Sequence, residues 1–111
     1  MLGLHAQNAE KNLPYINNIK ASTADIIVGD FNSGDYSKSQ HWKEFRTILP
    51  SHVCICNLPT KRVENKNNDL LFETCIDHIF VRRELVTKCS NVIVHRENKM
   101  SDHYPITFCV E

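Results

Sequence analysis

The sequence carries no surplus of either charge: thirteen Lys and Arg balance thirteen Asp and Glu. A chain that holds nucleic acid or an anionic membrane by global field alone is thereby disfavoured. The six histidines add positive charge only below about pH 6.5 and form no local cluster in the sequence. No apolar run is long enough to span a bilayer, and the first twenty residues lack the basic-then-apolar order of a secretion signal. There is no CxxC pair of the zinc-knuckle kind either. The five cysteines, Cys54, Cys56, Cys75, Cys89 and Cys109, read as unpaired thiols of a reducing compartment, which favours an intracellular site. Cys54 and Cys56, two apart on a strand, would share a face, which does not by itself make a metal site.

What is present is ordinary for a globular domain: 41% apolar and 23% charged residues. A chain of 111 residues fits one domain and can bury roughly two thirds of its unfolded surface. No internal repeat or low-complexity tract interrupts it.

Leu2 to Leu4 reads as the stub of a strand. Ala9, Leu13, Ile16 and Ile19 lie near helical spacing, and because Pro14 is tolerated only in a first turn, the regular helix is expected to start at Asn12. Asp25 to Val28 is short, β-branched and nearly all apolar, as in a strand buried on both faces, with Asp30 where it stops. Ser33 to Ser39 reads as a loop, and Gln40 to Leu49 as a helix with Trp42, Phe45 and Leu49 on one stripe before Pro50. His52 to Leu58 alternates as a strand, and Pro59 to Asp69, rich in Asn and Lys, is expected to be an exposed loop. Three further strands are expected at Cys75 to Val81, Asn91 to His95 and Ile106 to Val110.

Short polar clusters lie at the ends of these strands: Gly29-Asp30-Phe31-Asn32, Ile76-Asp77-His78-Ile79-Phe80 and Ser101-Asp102-His103-Tyr104-Pro105. Strand ends are where a sheet delivers side chains to a common cleft. Each cluster has a plainer explanation when taken singly. Asp30 and Asn32 can make a turn, Asp102 can be a turn residue, and Asp77 can be a solvated strand residue. Together they supply carboxylates, an amide and an imidazole, the groups needed to hydrolyse a phosphate ester with a divalent metal. A phosphodiester is an anion, so a site must neutralise charge, position a water and supply a proton donor or charge stabiliser. Hard oxygen ligands suit magnesium, manganese or calcium.

At these three motifs, and over residues 5 to 110, the chain resembles the endonuclease/exonuclease/phosphatase family with its deoxyribonuclease-I-like fold. The resemblance implies an α/β class (α+β in some schemes): half of a four-layer α/β/β/α sandwich, with a mixed sheet and helices on one face. It implies that residues 1–111 are the C-terminal portion of such a domain. The N-terminal half, which carries the family's early Asn and metal-binding Glu, would be absent. Uncovered, the inner face of a half-sandwich would be apolar, a surface that monomers rarely expose, so the missing half or a partner chain is expected to cover it.

By the same resemblance, Asp30 orients or deprotonates the attacking water, and Asn32 holds Asp30 and the phosphate or metal shell. Asp77 holds the imidazole of His103 in a dyad, and His103 stabilises or protonates the phosphate oxygens. Asp102 joins Asp30 and Asn32 around Mg2+ (or Mn2+ or Ca2+). His5 stands where the family places a histidine at a strand end, although a surface histidine near a terminus reads equally. His41, His52, His78 and His95 match no motif position and are expected in surface or packing roles. The implied activity is metal-dependent hydrolysis of phosphoesters, foremost nucleic-acid phosphodiesters. Sphingomyelinase-like and inositol-phosphate phosphatase activities share the fold and its catalytic residues. The alternative from another class is a catalytically incompetent fragment whose half-sheet only binds a partner.

Overall fold

The computed structural model describes residues 2–5, 23–31 and 49–111. The helix expected from Asn12, the loop at Ser33 to Ser39, the helix at Gln40 to Leu49 apart from Leu49 itself, and the side chains of Asn32 and His41 lie outside the described residues.

The described residues form eight strands: β1 Leu2–His5, β2 Ile26–Asp30, β3 His52–Cys54, β4 Lys61–Glu64, β5 Leu70–Thr74, β6 Asp77–Arg82, β7 Cys89–Val94 and β8 Ile106–Val110. A 3-10 helix, Arg83–Lys88, which the sequence reading left unassigned, joins β6 to β7. Four strands make a mixed sheet in the order β1-β2-β6-β3, in which β1 runs parallel to β2 and the other pairs are antiparallel. The pairs β4-β5 and β7-β8 are separate antiparallel ribbons.

The central strand β6 explains the core. Its inner residues His78, Ile79, Phe80 and Val81 are all buried, and successive side chains point to opposite faces. Phe80 packs with Ile27, Phe31 and Leu49 on one face, while Ile79 and Val81 pack with Cys56 on the other. Each such side chain contributes about 1.5–3 kcal/mol by leaving water. His78 and His52 take packing roles. His78 lies against Phe31 and Phe80, and His52 Nε2 bonds the Ala24 carbonyl at 2.9 Å.

The Ile79–Val81 face is not bare, contrary to expectation: Val92 and Val94 of β7 and Ile106 and Phe108 of β8 pack against it and stay partly exposed. The 59–69 segment is not a simple loop either. Lys61–Glu64 pairs with β5 as a hairpin whose turn is held by Asn65 Oδ1, which accepts the amides of Asn67 and Asp69 at 2.8 and 3.0 Å. Strand β4, Lys-Arg-Val-Glu, has no apolar alternation to betray it, which is why its composition reads as loop, and its apolar partner β5 was not assigned as a strand either. Strand β3 ends at Cys54, so Cys54 packs with the Phe80 cluster and Cys56 with the Ile79 cluster rather than on one face. None of the five cysteines is in a disulfide. No helix among the described residues is long and apolar enough to cross a membrane.

Candidate active site

Three strands deliver the site. In the β1-β2-β6 register, His5 lies opposite Asp30 and Asp30 opposite Asp77, so the last residues of β1 and β2 and the first of β6 stand side by side. Two carboxylates directly opposite one another repel and weaken a sheet, and such a pairing is expected where chemistry requires it. Backbone pairing to β4 brings in the third motif: Lys61 forms a β-bridge with His103, and the Arg62 amide donates to the Asp102 carbonyl at 2.9 Å.

The result is a compact group in which one donor atom each from Asp30, Asp77 and His103 lies within 4.8 Å of the others. His103 Nδ1 is 2.8 Å from Asp77 Oδ2, and His103 Nε2 is 3.7 Å from Asp30 Oδ2. An ionised carboxylate only accepts, so Nδ1 carries the hydrogen in the Asp77 bond and Nε2 faces Asp30. Burial pushes the Asp77 carboxyl above its ordinary range, while hydrogen bonds from Thr60 and His103 pull it back. A cavity of about 260 Å³ adjoins the group, its lining combining Asp30 and Asp77 with apolar Val28, Ile79, Ile106 and Phe108.

Asp102 is not brought into this group. Its carboxylate is exposed and sits 3.7 Å from Lys61 Nζ. Although desolvation is the largest single influence and raises it, the Lys61 and His103 charges together with hydrogen bonds from Ser101 and the backbone hold its pKa below the ordinary value. The backbone of His5 ends β1 beside Asp30, but its side chain, like Asn32, is outside the described residues. His95 lies at the surface, bonded to Glu97 and Thr107.

Two supporting residues escaped the sequence reading. Thr60 Oγ1 accepts the backbone amides of Ile76 and Asp77, each at 3.1 Å. Glu73 accepts the Tyr104 hydroxyl at 2.8 Å and Arg96 Nε at 3.0 Å, pinning the residue after His103 to β5. No spacing signal links Glu73 to Tyr104, thirty-one residues apart. The Arg96 hydrogen bond is the main reason the Glu73 carboxyl titrates below its ordinary 4.5. A depressed folded-state pKa contributes stability that is full above 4.5 and is lost as pH falls through the folded-state value. Glu73→Gln is therefore expected to narrow the wild-type stability advantage on acidification, read as urea midpoints across pH. A gap that stays constant from neutral to acid pH would show that the ionised carboxylate is not its source.

The fold and the strand-end triad define a class, the deoxyribonuclease-I-like architecture with a mixed sheet that presents acidic residues and a histidine at its strand termini. Over residues 4–107 the chain matches the endonuclease-reverse transcriptase family, and it belongs to that family. Among solved structures it is similar to the endonuclease domain of TRAS1, a telomere-specific non-LTR retrotransposon, with a TM-score of 0.71 and 14% identity. That match covers 97% of this chain and 54% of the other, so the chain spans about half the length of the domain it resembles. No curated protein matches the chain.

Proposed function

We propose that the chain forms one wall of the active site of a divalent-metal-dependent phosphodiesterase acting on nucleic acid, as the C-terminal portion of a deoxyribonuclease-I-like domain. The observation that carries this reading is the placement of His103 between two carboxylates, Nδ1 at 2.8 Å from Asp77 and Nε2 at 3.7 Å from Asp30. Membership of an endonuclease family and the half-length match support it.

In this reading Asp77 fixes the ring orientation of His103, whose Nε2 side then meets a phosphate oxygen and stabilises or protonates it. Asp30, facing that nitrogen, orients the attacking water and takes its proton, with Asn32 steadying the carboxylate. His5, whose backbone ends the neighbouring strand, would add a further polar contact to the phosphate.

The donor chemistry fits a hard cation: Asp30 supplies carboxylate oxygen, and no sulfur belongs to the group. Asp30 and Asn32 would hold Mg2+, or Mn2+ or Ca2+ in its place. Asp102 would add a second carboxylate on turning from Lys61. Such an ion supplies neutralisation of the phosphate's negative charge.

Plasmid DNA and a generic phosphodiester with magnesium test the reading, with the chain alone and with a complementary N-terminal half-domain of the same fold. Cleavage is expected to disappear with EDTA and return with magnesium. Cleavage that survives chelation sinks the metal-dependent reading. Failure to cleave in both preparations favours a half-sheet that only binds a partner. A sphingomyelin or inositol-phosphate substrate turned over in preference to DNA would move the assignment to those branches.

A further inference from the structure

We propose that Thr60 is a positioning residue for the Asp77–His103 pair, a single buried side chain and carbonyl that set the geometry of both partners; the inference rests on the roles given to those two groups above. Thr60 is fully buried and immediately precedes β4. Its amide donates to the Thr74 carbonyl at 2.9 Å, and its own carbonyl accepts the amide of Tyr104, the residue after His103, at 2.7 Å. Its hydroxyl oxygen accepts the amides of Ile76 and Asp77 at 3.1 Å each. Thr60 thus grips the His103 segment through the main chain and the Asp77 segment through the side chain.

A threonine hydroxyl has two lone pairs and one hydrogen. The two amides occupy both lone pairs, so the hydrogen is free to be donated. Thr60 draws the Asp77 carboxyl down against the upward push of burial, as a hydrogen directed at that carboxylate would. The amides at 76 and 77 stand where the chain leaves the β4-β5 ribbon and enters the main sheet, and each donates to this side chain. Without the hydroxyl, Asp77 would lose both its amide anchor and a donor to its carboxylate, and the bond to His103 Nδ1 would no longer be held in one geometry.

A threonine with a purely structural task would change stability and leave the imidazole of His103 as it is. The discriminating readout is the pair of ring 15N shifts of His103 at alkaline pH in the 111-residue chain. They separate a ring locked with hydrogen on Nδ1 from one averaging between tautomers. The wild type is expected to show the locked pattern. Thr60→Val, which keeps shape but removes the hydroxyl, is expected to average the two shifts and to speed hydrogen exchange at the Asp77 amide by roughly tenfold or more, as for an amide that has lost its acceptor. Thr60→Ser, which keeps the hydroxyl, is expected to retain the wild-type shifts.

A folded Thr60→Val protein with the locked pattern overturns the inference. If valine does not fold, serine decides it: a folded Thr60→Ser protein whose ring averages overturns it equally, and one whose ring stays locked upholds it. Because this readout needs no turnover, a chain that shows the predicted shifts yet cleaves nothing refutes the proposed function and leaves the positioning role intact. Where cleavage is measurable, Thr60→Val is expected to lower kcat by about 10–100-fold with KM little changed, the magnitude typical of lost outer-shell support.

Discussion

Replacing His103 with alanine is expected to lower metal-dependent phosphodiester cleavage by about 10²–10⁴-fold, the range contributed by a positioned acid–base group. Nothing else among the described residues can substitute for it. Asp77 lies 2.8 Å from Nδ1 and Asp30 3.7 Å from Nε2, so removing the ring leaves two facing carboxylates with no donor between them and the phosphate. Asp77→Asn should fall less, since the amide can still touch the ring but no longer fixes the hydrogen on Nδ1. The check is initial rates on plasmid DNA with magnesium, for wild type and both variants, with the complementary half-domain present. Equal rates for wild type and His103→Ala would remove the hydrolase reading from this site. Circular dichroism keeps the comparison clean, because His103 is partly exposed and its loss should leave the fold standing.

The largest expected effect on stability comes from Phe80→Ala. Phe80 is 1% exposed at the middle of β6, packs with Ile27, Phe31 and Leu49, and meets the Phe31 ring edge-on at 5.3 Å. Truncating a buried phenylalanine costs about 3–5 kcal/mol, through lost transfer energy and the cavity left behind. A domain of this size has about 5–15 kcal/mol in total, so the variant stands near the threshold of unfolding. Thermal unfolding is expected to drop by roughly 10 °C or more. A shift of only a few degrees would mean that β6 is not the packing centre. Phe80→Leu, which keeps most of the volume, should cost much less.

Both effects trace to residues that the sequence made visible in different degrees. Asp30, Asp77 and His103 were readable because each sits in a short polar cluster beside an apolar run, and because the three clusters together, not any one alone, resemble the motifs of a known family. The strand at Ile106–Val110 was readable for the same reason, since a proline ahead of it marks its entry. Strand β4 was not, because Lys61, Arg62 and Glu64 carry no apolar alternation; the ribbon is held by pairing with β5 and by the Asn65 turn. Asp102 was readable as an acid beside His103, but its pairing with Lys61, at 3.7 Å, depends on a β-bridge between segments about forty residues apart. Thr60 and Glu73 gave no signal, since neither belongs to a motif and both act on residues far along the chain.

Local chemistry thus determined which residues carry charge and which apolar runs, such as those of β2, β6 and β8, are strands, because side-chain type and periodicity act within a few residues; β4, β5 and the end of β3 at Cys54 were set by pairing. Only the tertiary structure decided that Asp30 stands across from Asp77, that His103 turns Nδ1 toward one and Nε2 toward the other, and that Asp102 does not join them. Strand order and register come from how apolar faces pack across the whole chain, and a sum over long-range contacts is not written in any single stretch of it.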